Sequence, residues 1–153
     1  MKIAIGSDHG GFELKEEIRG LLAELGHQVL DVGCYSPDSV DYPIQGRKVA
    51  ESVTSGQCER GVLICGTGIG MSIVANRISG IRATLCHDLF TARMGREHND
   101  SNILCMGGRV VETGLAKEMV KVWLMTSFKG GRHSRRINMI DLAEQKNDSF
   151  ETH

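Results

Sequence analysis

The sequence predicts an α/β fold: one domain of three layers, α/β/α, built on a five-stranded parallel, Rossmann-like sheet with an extra C-terminal helix. Three observations favour this class. Short apolar runs of strand length alternate with segments of helical periodicity along the chain. The run at 61–65 is continuously apolar, which is typical of a strand covered on both faces. Glycines, 19 of the 153 residues, follow several of these runs, where an α/β protein keeps its ligand site.

The strands are predicted from apolar runs that end in turn-forming residues. They cover residues 2–6, 27–32, 61–65, 81–86 and 102–106. The helices are predicted from apolar side chains three and four positions apart. They cover residues 12–25, 44–55, 71–76, 88–97, 113–126 and 132–146. Gly26 is expected to end the first helix as a C-cap. The fifth helix is expected to turn Leu115, Met119, Val122 and Trp123 inward.

Length and charge exclude several classes of protein. A chain of 153 residues is expected to form a single domain, residues 1–146, with a flexible tail at 147–153. Eighteen basic and nineteen acidic side chains leave a net charge of -1, which argues against a nucleic-acid-binding or polybasic membrane-binding protein. No stretch approaches the ~20 apolar residues that cross a bilayer, and the N-terminus lacks the apolar core of a signal peptide. We therefore expect a cytoplasmic protein with no nucleic-acid or membrane partner.

The cysteines and histidines do not predict a metal site. The five cysteines are odd in number and show no C-x-x-C spacing, so they indicate neither a disulfide framework nor a zinc ribbon. The six histidines show no H-E-x-x-H or H-x-H pattern. We expect neither a metal nor another cofactor.

The strongest chemical signal is the glycine-rich segment 65–72, which follows a strand and precedes a helix. Its G-x-G-x-G spacing departs from the G-x-G-x-x-G of dinucleotide-binding loops, and Met71 excludes both a P-loop and a C-x5-R phosphatase loop. What remains is a small, oxygen-rich anion held by amides, with Cys65 at its edge. A helix N-terminus favours the thiolate, which can act as a nucleophile or a base. The alternative is an inert cysteine buried at a strand end.

Two further polar segments hold candidates for acid–base chemistry. Asp8 and His9 come directly after the first strand and are expected at the carboxyl edge of the sheet with Cys65. His98 and Asn99 precede their strand instead. They reach that edge only if their helix ends there or if a neighbouring subunit brings them close. The alternatives are a simple helix cap for Asp8 and a solvated helix end for His98.

A basic segment at 129–136 suggests a phosphate ligand. Arg132 and Arg136 are four residues apart, so they share a helix face and can clasp one phosphate. Arg135 is expected to point elsewhere, and Arg109, just after the fifth strand, can add a positive charge. The alternative is a solvated basic turn. In a nearly neutral protein the cluster favours a phosphorylated small molecule over a polymer.

Six segments together resemble one known family, the B-type ribose-5-phosphate isomerases and the wider group that includes galactose-6-phosphate isomerase subunits. They are Gly6-Ser7-Asp8-His9-Gly10-Gly11, Asp41-Tyr42-Pro43, the run at 63–70, Arg96-Glu97-His98-Asn99-Asp100, Gly108-Arg109-Val110-Val111 and Gly130-Gly131-Arg132-His133-x-x-Arg136. They occur in family order over roughly residues 1–145, which makes the resemblance specific.

The resemblance implies metal-free isomerisation of an aldose phosphate through an enediolate. Cys65 is then the base, His98 assists ring opening, and Asp8 and Thr67 help with ring opening and hydroxyl protons. The implied substrate-binding residues are His9, Tyr42, Gly66, Gly68, Ile69, Gly70 and Asn99. The implied phosphate-binding residues are His9, Arg109, Arg132 and Arg136, the last two from the other subunit. A homodimer with a shared site is implied, in some members paired into a tetramer.

Three functions stay open on the sequence alone. The first is interconversion of ribose 5-phosphate and ribulose 5-phosphate. The second is isomerisation of another aldose phosphate, such as allose 6-phosphate, galactose 6-phosphate or a tetrose phosphate. The third is a non-catalytic sugar-phosphate-binding protein, which the presence of both Cys65 and His98 argues against.

Overall fold

A computed structural model of the chain describes the backbone of residues 1–151 and the side chains of residues 1–143. Five strands form one parallel sheet: β1 Lys2–Ser7, β2 Gln28–Asp31, β3 Arg60–Cys65, β4 Ala83–Leu85 and β5 Ile103–Gly107. The helices are α1 Phe12–Glu24, α2 Tyr42–Thr54, α3 Ile69–Asn76, α4 Leu89–Glu97, α5 Thr113–Met125 and α6 Arg132–Glu151. A 3-10 turn, His9–Gly11, joins β1 to α1. The predicted α/β class and every predicted strand and helix are confirmed.

The strands lie in the order β2-β1-β3-β5-β4, so β5 separates β3 from the edge strand β4. Ser7 is in register with Ile64, and Cys65 with Gly107. The segments that follow β1, β3 and β5 therefore leave the sheet side by side at its carboxyl edge. This edge is where ligands bind in open parallel sheets.

Both faces of the sheet are buried, which explains the uninterrupted apolar runs of the central strands. One face packs against α1, α4 and α5 and contains Ile3, Ile5, Val62, Ile64, Leu104, Met106 and Trp123. The other packs against α2 and α3 and contains Ala4, Val49, Leu63, Cys65, Met71, Ile103 and Cys105. Side chains of β3 alternate between the two cores, and Cys65 lies at the end of that alternation, on the α2–α3 side.

Three details differ from the sequence predictions. Helix α2 begins at Tyr42 rather than at residue 44, because Pro43 fits the first turn of a helix. Helix α6 continues past residue 146 to Glu151, since no glycine or proline interrupts it; residues 152–153 of the predicted tail lie outside the described residues. Leu115 is exposed rather than inward, and Ala116 is buried in its place.

Lys15 is buried, an outcome that its charge did not predict. Its ammonium group lies 2.6 Å from Asp31 Oδ2 and 3.0 Å from Glu16 Oε1, and its side chain has no solvent exposure. Asp31 also accepts a hydrogen bond from the Gly33 amide, at 2.9 Å. The ion pair therefore ties α1 to the end of β2 and to the loop that leads towards the carboxyl edge.

Replacing Lys15 with methionine is expected to destabilise the fold by about 2 kcal/mol, because Asp31 loses a charged hydrogen-bond partner in a largely buried position. Urea unfolding followed by circular dichroism measures this change. The matched control is Lys121→Met, which removes an exposed pair with Glu118 and should cost less than about 1 kcal/mol. Equal losses in the two variants would contradict a structural role for the buried pair.

Candidate active site

The loop between β3 and α3 surrounds the thiol of Cys65. The Gly68 amide donates a hydrogen bond to Cys65 Sγ at 3.1 Å, and Gly68 has a left-handed backbone with φ of 81°. This turn places the first amides of α3 directly after the thiol. A backbone N–H therefore points at the sulfur of the residue that the sequence singled out for chemistry.

Unpaired donors lie next to this thiol. Among the described residues, the amides of Gly66, Thr67 and Gly70 donate to no protein acceptor. The Arg109 side chain runs beside Gly66, with Nη1 3.2 Å from the position that a Cβ there would take. Arg109 forms no ion pair within residues 1–143. The loop therefore offers three amides and one cation to an anionic ligand.

The segment after β1 packs against this loop, as predicted. A Cβ added to Gly10 would lie 3.2 Å from the Gly66 backbone. Asp8 is buried and caps the 3-10 turn through Oδ1, which accepts a hydrogen bond from the Gly11 amide at 3.1 Å. The cap occupies only one carboxylate oxygen, and Oδ2 accepts no hydrogen bond from the described residues.

One ring nitrogen of His9 is already used as a hydrogen-bond acceptor. Its Nδ1 accepts a hydrogen bond from the Val40 amide at 3.3 Å. Because Nδ1 is an acceptor, the proton of the neutral ring lies on Nε2. An Nε2–H group suits a hydroxyl or phosphate oxygen.

The remaining predicted residues of this edge frame the same loop. Thr67 is exposed, and its Oγ1 accepts a weak hydrogen bond from the Ile69 amide at 3.3 Å. Tyr42 lies against Gly70, where an added Cβ would meet the ring at 2.6 Å. Ile69 is exposed beside them. We call Asp8, His9, Tyr42, residues 65–70 and Arg109 the carboxyl-edge group.

His98 and Asn99 lie at the opposite, amino edge of the sheet. Helix α4 ends at Glu97 before β5 begins, and the backbone oxygen of Asn99 accepts a hydrogen bond from Arg82 Nε at 2.8 Å, next to the start of β4. His133, in the first turn of α6, stacks on His98 with ring centroids 4.2 Å apart. This contact brings the neighbouring residues of α6, Arg132 and Arg136, close to His98, and both arginines are exposed. We call His98, Asn99, Arg132, His133 and Arg136 the amino-edge group.

One chain does not bring the two groups together. The five residues of β5 separate them by about 13 Å or more at 3.3 Å per residue. The sequence left two routes by which His98 could reach the carboxyl edge. The first is excluded, because the helix that carries His98 does not end at that edge. The route that this geometry leaves open is the other one that the sequence offered, in which a neighbouring subunit brings His98 to the carboxyl edge. His133 was not among the predicted site residues, although it lies between Arg132 and Arg136 in the basic segment.

The loop that carries His98 is held in an unusual conformation. Asp100 has a positive φ of 46°, which non-glycine residues seldom adopt. Its carboxylate accepts a hydrogen bond from Arg96 Nη1 at 2.9 Å, and its backbone oxygen accepts one from Arg82 Nη2 at 3.2 Å. Two arginines thus fix the turn that directly follows His98 and Asn99.

Replacing Gly68 with alanine is expected to destabilise the chain more than the same replacement at any other left-handed glycine among the described residues. The added Cβ would meet Leu85 Cδ1 at 2.6 Å and the Met106 backbone at 2.8 Å. Gly56→Ala is the matched control, because Gly56 has φ of 80° and nothing within 4 Å of its Cβ position. We expect about 1–2 kcal/mol from backbone strain in the control, and a larger loss together with lost activity in Gly68→Ala. Equal unfolding free energies would show that the close contacts are relieved without cost.

Acidification is expected to weaken the fold through His133. Burial, His98, Arg132, Arg136 and Lys129 lower the pKa of its imidazole, with burial the largest cause. Below about pH 6.5 the unfolded chain then binds more protons at this residue than the folded chain, so stability falls as the pH falls. Urea unfolding at pH 7 and pH 5.5 measures this loss, which should be smaller in His133→Phe. The same loss in both proteins would contradict the prediction.

Neither a metal cluster nor a membrane span is found in the described part of the chain. No three histidine, cysteine, aspartate or glutamate side chains there are grouped as metal ligands. No helix among these residues has the length and apolarity required to cross a bilayer.

Comparison with known proteins identifies close relatives. The family model described as Ribose/Galactose Isomerase matches residues 3–140. Ribose-5-phosphate isomerase B of Escherichia coli is 47% identical over 95% of this chain and 97% of its own length. A D-erythrulose-4-phosphate isomerase of Pectobacterium atrosepticum is 38% identical over 95% of this chain and 97% of its own. The solved structure of ribose-5-phosphate isomerase B from Clostridium thermocellum superposes with a TM-score of 0.95 at 54% identity, covering 96% of this chain and 99% of that one.

Proposed function

The chain belongs to the ribose/galactose isomerase family and is an aldose–ketose isomerase, and we propose that it interconverts D-ribose 5-phosphate and D-ribulose 5-phosphate. The observation that carries this proposal is the Cys65 loop, where a thiol lies among unpaired amides and an unpaired arginine. An aldose phosphate needs a base beside C1 and C2, donors for the enediolate oxygens and cations for the phosphate. The two groups of residues supply all three.

In the proposed reaction Cys65 is the base. Its thiolate takes the proton from C2 of the open aldose, the electrons of that bond form the C1–C2 double bond, and the carbonyl oxygen becomes an enediolate oxygen. The thiol then returns the proton to C1, while the O2 hydroxyl loses its proton and O1 gains one. The amides of Gly66, Thr67 and Gly70 stabilise the developing charge; one such preorganised donor is worth about 2.7–4 kcal/mol.

Ring opening and substrate orientation are assigned to polar side chains of both groups. Asp8 and Thr67 are proposed to move hydroxyl protons, and His98 of the partner subunit to assist ring opening. Asn99 of the partner subunit is proposed to hold sugar hydroxyls. Tyr42 and Ile69 are proposed to line the pocket at the carboxyl edge.

The phosphate is proposed to lie between two copies. His9 and Arg109 contribute from the carboxyl-edge group, where Nε2–H of His9 and the unpaired guanidinium of Arg109 are available. Arg132 and Arg136 of the partner subunit contribute from the amino-edge group, clasping the phosphate oxygens by charged hydrogen bonds.

We therefore propose a homodimer, or a pair of such dimers, that completes each site between copies. A two-fold axis exchanges the groups, so the carboxyl edge of each copy meets the amino edge of the other. Exposed apolar side chains at this edge support a covered surface there: Ile69 and Ile73 on α3, and Phe90 in the first turn of α4. Light scattering measures the mass; a monomer at assay concentration with full activity would exclude the shared site.

Domain organisation and location complete the proposal. We infer that residues 1–146 form the catalytic domain, which is supported by the family match over 3–140. We also propose a cytoplasmic location, where reducing conditions keep the Cys65 thiol available.

The substrate is tested by following ribulose 5-phosphate formation from ribose 5-phosphate in the presence of a chelator. We expect turnover that exceeds that with allose 6-phosphate, galactose 6-phosphate and erythrose 4-phosphate. The tetrose phosphate is included because the Pectobacterium relative acts on that class by name. A higher kcat/KM for another sugar phosphate would show that the proposed substrate is wrong, while the reaction class, aldose–ketose isomerisation, would stand. Binding without turnover of any of them would make the chain a sugar-phosphate-binding protein.

A further inference from the structure

The stacked rings of His98 and His133 are a feature that the proposed reaction leaves unused. Their centroids are 4.2 Å apart and their planes differ by 13°. His133 is buried, with 8% of its surface exposed, whereas His98 is half-buried. His98 is thus the ring that a substrate can reach, and His133 lies behind it.

The start of α6 is fixed against the end of α4, which sets the distance between the rings. The Lys129 amide donates to the Glu97 backbone oxygen at 3.1 Å, and Lys129 Nζ pairs with Glu97 Oε2 at 2.7 Å. Gly130 and Gly131 follow with φ of 64° and 59°, so both adopt a left-handed conformation that glycine accepts readily. The His133 amide then donates to Gly130 at 3.1 Å.

Burial and the surrounding charges both favour the neutral form of the His133 ring. His98 faces it from α4, Arg132 and Arg136 from α6, and Lys129 from the preceding turn, where Glu97 balances Lys129. Burial and these cations lower the pKa of His133. A neutral aromatic face can stack on an imidazole and also on an imidazolium. The stack is therefore compatible with a proton transfer through His98.

We propose that His133 is a positioning residue: its buried ring is the platform that holds the His98 imidazole in place for opening the sugar ring. This inference rests on the proposed function. In ring opening the C1 hydroxyl loses a proton, C1=O forms, the bond between C1 and the ring oxygen breaks, and the ring oxygen gains a proton. His98 must act in both protonation states during this transfer, so a platform that tolerates both fits the step.

Two reactions separate ring opening from proton transfer at carbon. Conversion of ribose 5-phosphate requires an open ring. Exchange of the C1 hydrogen of ribulose 5-phosphate with deuterated water does not, because its O5 carries the phosphate and the ketose cannot close to a furanose. Exchange therefore reports the Cys65 chemistry without the His98 step.

In His133→Ala we expect conversion to fall about 30-fold, in the range that a small misplacement of a catalytic group costs, while C1 exchange falls less than about 3-fold. His133→Phe keeps an uncharged aromatic platform and should restore conversion to within about 3-fold of wild type. Arg135→Ala, an exposed change on the same helix, should alter neither rate. Light scattering and urea unfolding check that each variant is folded and assembled.

Two results would overturn the platform. One is unchanged conversion in His133→Ala. The other is a parallel fall of conversion and exchange that His133→Phe does not restore, which would indicate a purely structural role. If wild type does not convert ribose 5-phosphate, the proposed substrate is wrong instead, and the same pair of assays on the sugar phosphate that is converted decides the role of His133.

Discussion

Cys65→Ala is expected to lower kcat for ribulose 5-phosphate formation by about 10³-fold, within the range for loss of a positioned general base. Among the described residues, the Cys65 thiol is the only titratable side chain at the carboxyl end of β3. The Gly68 amide points at its sulfur. KM should change little, because the loop amides and Arg109, which are proposed to hold the substrate, remain. Initial rates over a range of ribose 5-phosphate concentrations separate the two constants.

Cys58→Ala is the matched control for this variant. Cys58 is also buried, but it precedes β3 at the amino edge, away from the Cys65 loop. Burial raises the pKa of its thiol, and it raises the pKa of Cys86 to about 11, so these cysteines remain protonated near neutral pH. We expect Cys58→Ala to keep wild-type kcat. Turnover that survives in Cys65→Ala would leave the isomerase assignment intact and show that another group is the base.

The elements and the carboxyl-edge group were predictable from local sequence. Gly26 has φ of 85° just after α1, as its C-cap position implies. The apolar run of β3 followed by glycines placed Cys65 at a strand end before a helix, and the segment after β1 placed Asp8 and His9 beside it. In a parallel sheet every strand ends at the same edge. The order of strands and helices along the chain was therefore enough to predict which residues reach that edge.

Other features depend on contacts between distant segments. In the sheet, β5 lies between β3 and β4, so β4 is the edge strand. Both strands were predicted from apolar runs, and these runs do not give the order of the strands. The one sign of an edge strand was that Ala83–Leu85 is short and half-buried. Lys15 is buried only because Asp31 and Glu16 converge on it. The position of His98 at the amino edge follows from where α4 ends. The sequence located that helix end, but not the geometry of a second copy.

The proposed homodimer leads to the other large expected effect. Cys65→Ala and His98→Ala are each expected to be nearly inactive as homodimers, since each removes one half of every site. Co-expressed with two different tags and purified through both, they form hybrid dimers. In a hybrid, one site contains both alterations and the other contains neither, so about half of the wild-type kcat per dimer should return under two-fold symmetry.

The pairing of variants decides whether this recovery means a shared site. Cys65→Ala combined with Asp8→Ala alters the carboxyl-edge group in both copies, so neither site of that hybrid is intact and its activity should not exceed the mean of the two homodimers. Recovery with the first pair and none with the second requires that Cys65 and His98 act from different chains. If neither hybrid recovers while light scattering confirms dimers, Cys65 and His98 do not complete one site across the two copies. The amino-edge group would then have to reach substrate by a movement of α4 and α6 within one chain.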